Sequence, residues 1–135
     1  GNAEFAVLMM DMNNLKQIND DHGHKAGDLY IKGCCRIICE MFKNSPVFRI
    51  GGDEFVAVLQ GKDYDKRNKK VAELREMFAD SFSDTSVDPW LRYSAAVGVS
   101  DYSDSDSTFE VVFKRADSVM YDDKKAFKQA YGSYR

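Results

Sequence analysis

The sequence predicts a single domain of the α/β class, and three observations carry that reading. Phe5-Ala6-Val7-Leu8-Met9-Met10 is an unbroken apolar run of strand length, the pattern of a central strand covered on both faces. Val47 to Leu59 holds two β-branched and aromatic runs around Gly51-Gly52-Asp53-Glu54, the composition of a β-hairpin with a tight turn. Elsewhere apolar residues recur at helical spacing. With 135 residues, 44% of them hydrophobic, the chain can bury one sizeable core and fits one domain.

In chain order, Gly1-Asn2-Ala3 reads as a cloning scar, leaving residues 4–135 as the domain. The first strand ends at Asp11. A carboxylate where a buried strand emerges suits a ligand site, the alternative being an N-cap for a short helix through Ile18. Asn19 to Asp28 is polar and Gly-punctuated, a loop by composition. Within it Asn19 offers a donor and an acceptor, and Asp28 two acceptor oxygens, which together suit a guanine edge, although each is also a common turn or cap residue. His24 has no second His or Cys at ligand spacing and reads as a hydrogen-bond partner, not a metal ligand.

Tyr30, Cys34, Ile37, Ile38 and Met41 mark a core helix from Gly27 to Lys43, ended by Pro46. Cys34, Cys35 and Cys39 all fall on it, where adjacent positions diverge by about 100° and form no compact metal cage. They read as reduced thiols of a cytoplasmic protein. At the hairpin, Gly51 and Gly52 are free to take positive φ and reverse the chain. Asp53 and Glu54 beside this bare backbone suit a divalent cation and a phosphate-bearing ligand; an ordinary Gly/Asp turn is the alternative. Asp63 to Phe82 reads as a helix with Val71, Leu74, Met77 and Phe78 inward and Lys66 to Lys70 on a solvated face. Leu91 to Tyr102 alternates as a further strand, and Asp101 to Thr108 is a loop without the Gly and Glu of a calcium-binding hand. Phe109 to about Phe127 is a last amphipathic helix through Val112, Phe113, Ala116, Val119, Met120 and Tyr121.

The net charge of −3, with both signs interspersed, argues against a nucleic-acid surface or a polybasic membrane patch. No apolar run approaches the roughly 20 residues that span a bilayer. A phosphorylated ligand would have to be neutralised by local groups or by metal ions.

Four segments in this order resemble the GGDEF family, the diguanylate cyclase domains. Asp11 to Asp20 is similar to that family's D-x-D-x-F-K-x-I-N-D block, and His22 to Asp28 to its G-H-x-x-G-D block. Gly51 to Phe55 matches the signature hairpin letter for letter, and Ala116-Asp117 with Tyr121 and Lys124 resembles the A-D-x-A-L-Y-x-A-K helix. The resemblance implies a nucleotidyl-cyclase and polymerase-palm fold, an antiparallel-rich central sheet flanked by helices, with Asp11 and Asp53 facing each other across the sheet rim. It implies that Asp11, the Met12 carbonyl, Asp53 and Glu54 hold Mg²⁺ or Mn²⁺. Asp53, with Glu54 beside it, would be catalytic, Asp53 as proton acceptor. Asn14, Leu15, Lys16, Gly51 and Gly52 would line the substrate site, Asn19 and Asp28 would read guanine with His24 nearby, and Lys124 and Lys128 would contact the phosphates. The implied reaction joins two GTP into cyclic di-GMP, one GTP per domain, so turnover requires a head-to-head homodimer.

Four departures qualify the match. Asn13 replaces the block's second acid, at a position read as a non-ligand. Lys128 stands where the family has Arg, keeping the charge and losing the bidentate fork. Phe42 and Ser45 occupy the positions of the R-x-x-D product-inhibition motif. The D-x-L-T-x-L-x-N-R segment expected ahead of the first strand is absent, so the sequence is expected to be a fragment of a longer, cytoplasmic or membrane-bound sensor. The alternative to the cyclase is a GTP-binding regulatory module with weak or no turnover.

Overall fold

In the computed structural model, which describes residues 4–132, the chain is organised around strand β1, Ala6–Met12. The residues read as a cloning scar lie outside the described segment. After β1 come α1 (Leu15–His22), α2 (His24–Met41), β2 (Val47–Arg49), β3 (Glu54–Leu59), α3 (Gly61–Asp65), α4 (Arg67–Ser83), a 3-10 turn at Pro89–Leu91, β4 (Ala95–Asp101) and α5 (Phe109–Tyr131). The four strands form one sheet in the order β2-β3-β1-β4, every neighbouring pair antiparallel.

Successive strand residues point to opposite faces, so β1 feeds two cores. Ala6, Leu8, Met10 and Met12 join the larger one with Ile18 of α1, Tyr30, Cys34 and Ile38 of α2, and Leu74 and Phe78 of α4. Val7 and Met9 meet Val112, Ala116 and Met120 of α5 on the other side. Burial on both faces is why the strand reads as one apolar run. α5 lies close on β4 because Gly98 has no side chain: a Cβ there would collide with the backbone of Met120 and Ala116.

Several boundaries differ from the sequence reading. β1 runs on through Asp11 to Met12, with Asp11 paired in register to Glu54 and Ala96, which rules out the N-cap alternative. Asn19 to Asp28 is not a loop: α1 and α2 meet at Gly23 alone, at φ 91°. A short helix through Ile18 is the sequence's alternative at this point; among α1 residues only Ile18 is buried, so the polar surface hid its continuation to His22. The expected Asp63–Phe82 helix is two helices, α3 and α4, separated at Lys66, with Asp63 buried inside α3. Arg67 and Lys70 are not simply solvated, since they pair with Asp101 at 2.8 Å and Asp63 at 2.6 Å. Met77, Val119 and Tyr121 are exposed, not core. β4 begins at Ala95, because the 3-10 turn occupies Pro89–Leu91.

Candidate active site

The antiparallel pairing of β1 with β3 sets Asp11 directly opposite Glu54. The Met12 N–H donates to the Asp53 carbonyl at 2.8 Å, pinning the hairpin tip to the end of β1. As a result the carboxylates of Asp11, Asp53 and Glu54 offer oxygens that all lie within 4.8 Å of one another. Ile50 N–H to the Glu54 carbonyl, 3.0 Å, closes the hairpin. Arg49 braces it, with Nε donating to the Gly51 carbonyl at 3.2 Å and Nη2 to the Gly52 carbonyl at 2.6 Å. Neither glycine takes the left-handed conformation expected for the reversal. What they contribute is bare backbone: a Cβ at Gly52 would have nothing within 4 Å.

Crowding three carboxylates at a half-buried rim has an electrostatic signature. Burial pushes the Asp11 carboxyl up, Lys124 opposes this by hydrogen bond and charge, Asp53 and Glu54 push it up again, and it rests at about 6. Glu54 is raised too, by burial first, then by Asp53 and Asp117, against Lys124. The donor set of three carboxylates and the Met12 carbonyl is all oxygen, which fits a hard divalent cation such as Mg²⁺ or Mn²⁺.

Lys124 is where the structure adds most to the sequence reading. Expected to contact phosphates, it is only 7% exposed and already paired. Its Nζ donates to Asp11 Oδ1 at 2.9 Å and to the Met12 carbonyl at 3.0 Å. The signal was present: Val112, Ala116, Met120 and Lys124 recur every fourth residue, and all four are buried. The neighbouring Asp123, which the sequence did not single out, fixes α5 to the sheet by accepting from Val97 N–H at 2.8 Å and Arg75 Nη1 at 3.0 Å. Lys128 lies one turn further along, exposed.

Asn19, His24 and Asp28 gather at the α1–α2 junction. Asn19 lies across α2 with its amide over Gly27, where any Cβ would collide with it. His24 opens α2, and Asp28 follows one turn on; both are exposed. Asn14 caps α1 in the left-handed region, φ 66°, without a side-chain cap bond. Leu15 packs its side chain against the core, leaving its backbone for any ligand, while Lys16 is exposed. Asn13 is 1% exposed, its Nδ2 donating to Ser94 Oγ at 3.0 Å, so it points away from the carboxylates. Its Oδ1 has no hydrogen-bond partner among the described residues, and an aspartate there would place a charge at a buried position. Phe42 is buried at 1% exposure, and Ser45 Oγ donates to Asp63 Oδ2 at 2.7 Å.

The profile of the family described as "Diguanylate cyclase, GGDEF domain" matches residues 1–130. Among curated proteins the chain is similar to the bifunctional diguanylate cyclase/cyclic di-GMP phosphodiesterase MucR of Pseudomonas aeruginosa, 29% identical over 94% of this chain and 18% of that protein. It is also similar to diguanylate cyclase DgcS of Shewanella oneidensis, 28% identical over 96% of this chain and 42% of that one. The chain thus spans less than half the length of either relative. Among solved structures, a sensory box/GGDEF family protein from Caulobacter crescentus superposes with a TM-score of 0.70 at 32% identity, over 91% of this chain and 80% of that one.

Proposed function

The chain belongs to the GGDEF family of diguanylate cyclase domains, and from that premise we propose that it condenses two GTP into cyclic di-GMP and two pyrophosphates. The observation that carries this is the convergence of Asp11, Asp53 and Glu54 on one rim. Mg²⁺ or Mn²⁺ held by these carboxylates and the Met12 carbonyl would offset triphosphate charge and polarise the α-phosphorus. The chain's own groups do the rest. Asp53, on an exposed tip beside bare glycine backbone, accepts the proton of the 3′-hydroxyl. The 3′-oxygen bonds to the α-phosphorus of the partner's GTP while that phosphorus loses pyrophosphate, and the same exchange occurs in the other direction.

The first-turn N–H groups of α1, at Asn14, Leu15 and Lys16, and the backbone at Gly51 and Gly52 receive phosphate oxygens. Lys16 and Lys128 add positive charge. Asn19 and Asp28 read the guanine edge, and His24 flanks it. Because each domain holds one nucleotide, the reaction needs two domains face to face, brought together in the full-length protein by an N-terminal sensor, cytoplasmic or membrane-borne. Among the described residues no helix is long and apolar enough to cross a membrane.

Fusing the domain to a dimeric coiled coil, adding GTP and Mg²⁺, and following cyclic di-GMP by chromatography tests this directly. Product formation is the expected result. Mg²⁺-dependent GTP binding without product would instead favour a regulatory module, for which the replacement of Arg by Lys128 is the supporting feature. No GTP binding at all would overturn both.

A further inference from the structure

Two of the oxygens assigned above to the metal ions, Asp11 Oδ1 and the Met12 carbonyl, already hold a cation: the Lys124 ammonium, at 2.9 and 3.0 Å. The pair is well shielded, with side-chain exposures of 9% for Lys124 and 14% for Asp11. A Mg²⁺ ion binds its oxygens at about 2.0–2.1 Å, so it cannot bind both while the ammonium stays between them. The lysine stem rises from the buried stripe of Val112, Ala116 and Met120. α5 itself is fixed by Asp123 to Val97 and Arg75, so any exchange is a side-chain rotation and not a helix shift.

Expelling the ammonium without a new anion would leave a charge on a buried stem, an unfavourable state. A triphosphate beside the rim supplies that anion. Resting on the site reading above, we propose that Lys124 is an internal counter-cation that fills the metal's place at Asp11 and Met12 until nucleotide arrives, then trades the carboxylate for phosphate. Metal and nucleotide binding are thereby coupled, each favouring the other by the same factor.

Mn²⁺ binding followed by electron paramagnetic resonance tests this, at pH 8.5 to keep the carboxylates ionised, with and without a non-hydrolysable GTP analogue. Wild-type protein should bind Mn²⁺ weakly alone and at least tenfold more tightly with the analogue. Lys124→Met should bind Mn²⁺ alone at least tenfold more tightly than wild type and gain less from the analogue; adding Asp11→Asn to it should remove the gain. If wild type binds Mn²⁺ with the analogue but Lys124→Met binds it alone no more tightly than wild type, the counter-cation role is wrong and the site reading stands. If neither protein binds Mn²⁺ under any condition, both fall. Should the variant fail to fold, the ammonium resonance of Lys124 in ¹⁵N-labelled wild type serves instead. It should be observable in the free protein and lost or shifted with Mg²⁺ plus analogue, and an unchanged resonance in that complex overturns the proposal.

Discussion

Two aspartates in this molecule pair with a lysine away from bulk solvent, Asp63 fully buried and Asp11 partly so, and they behave in opposite ways. Asp63 is fully buried and accepts from Lys70 Nζ at 2.6 Å, Ser45 Oγ at 2.7 Å and Asn44 N–H at 2.9 Å. Burial pushes its carboxyl up, but those hydrogen bonds outweigh burial and hold it below the ordinary range. Asp11 has Lys124 at the same kind of distance, yet burial and two neighbouring carboxylates prevail, and its carboxyl stays near 6. An ion pair alone therefore does not make a buried acid structural; the number of donors to the charged form does. Asp63 ties α3 to the turn after α2. Asp11 accepts from Lys124 Nζ and stands among the carboxylate oxygens of Asp53 and Glu54.

The comparison can be broken most directly by neutralising each acid. Asp11→Asn should lower cyclic di-GMP formation by at least about 100-fold, since even outer partners of metal ligands are worth about 10–100-fold. In urea unfolding at pH 7 it should cost clearly less than the loss at Asp63, because burial and the neighbouring carboxylates already oppose the charged form of Asp11. Asp53→Asn, on an exposed tip, should match it in both assays. Asp63→Asn should do the reverse, losing about 3 kcal/mol of unfolding free energy with turnover within about threefold of wild type. Equal stability losses at positions 11 and 63 would erase the distinction.

A smaller effect sharpens the contrast through pH. The raised Asp11 carboxyl contributes stability at low pH that is lost as pH rises from 3.8 to about 6. Asp63, being lowered, contributes stability above the ordinary carboxylate range that is lost as pH falls through its depressed pKa. The difference in unfolding free energy between wild type and Asp11→Asn should therefore shift toward the variant as pH rises from 4 to 7. A shift in the other direction would show Lys124 to be the dominant influence.

Gly27→Ala probes the guanine reading away from either acid. A methyl there displaces the Asn19 amide, so KM for GTP should rise about tenfold, equivalent to one lost hydrogen bond, with GTP's advantage over ATP shrinking alongside. The smallest expected effect is none: cyclic di-GMP should not inhibit through the Phe42–Ser45 turn. Phe42 is core and Ser45 is held by Asp63. Inhibition at saturating GTP that vanishes in Lys43→Ala would refute this.

How far the sequence could be read depended on whether a side chain's chemistry agreed with its place in the periodic pattern. β1 was legible because both faces are apolar, and the hairpin because its tip departs so sharply from its flanks. The end of α1 beyond Ile18 and the start of α2 were not, since a short helix with a single buried residue leaves no stripe to detect. Lys124 was assigned to the right neighbourhood, but its contact with Asp11 was not legible, because its charge suggested solvent while its spacing placed it on the buried face. Asp63 carried no signal at all: its partners Asn44 and Ser45 lie 19 and 18 positions earlier, joined to it only by the fold.

The Lys124–Asp11 contact joins residues 113 positions apart. During synthesis β1 emerges first and can pair with β3 once the hairpin is made, but its second face stays uncovered until α5 arrives. Closing so long a loop is slow relative to local contacts, and until α5 is made Val7, Met9 and Val56 lack the helix that covers them. All three rim carboxylates precede Lys124 in the chain, so the charge balance at Asp11 is complete only when the last helix has docked.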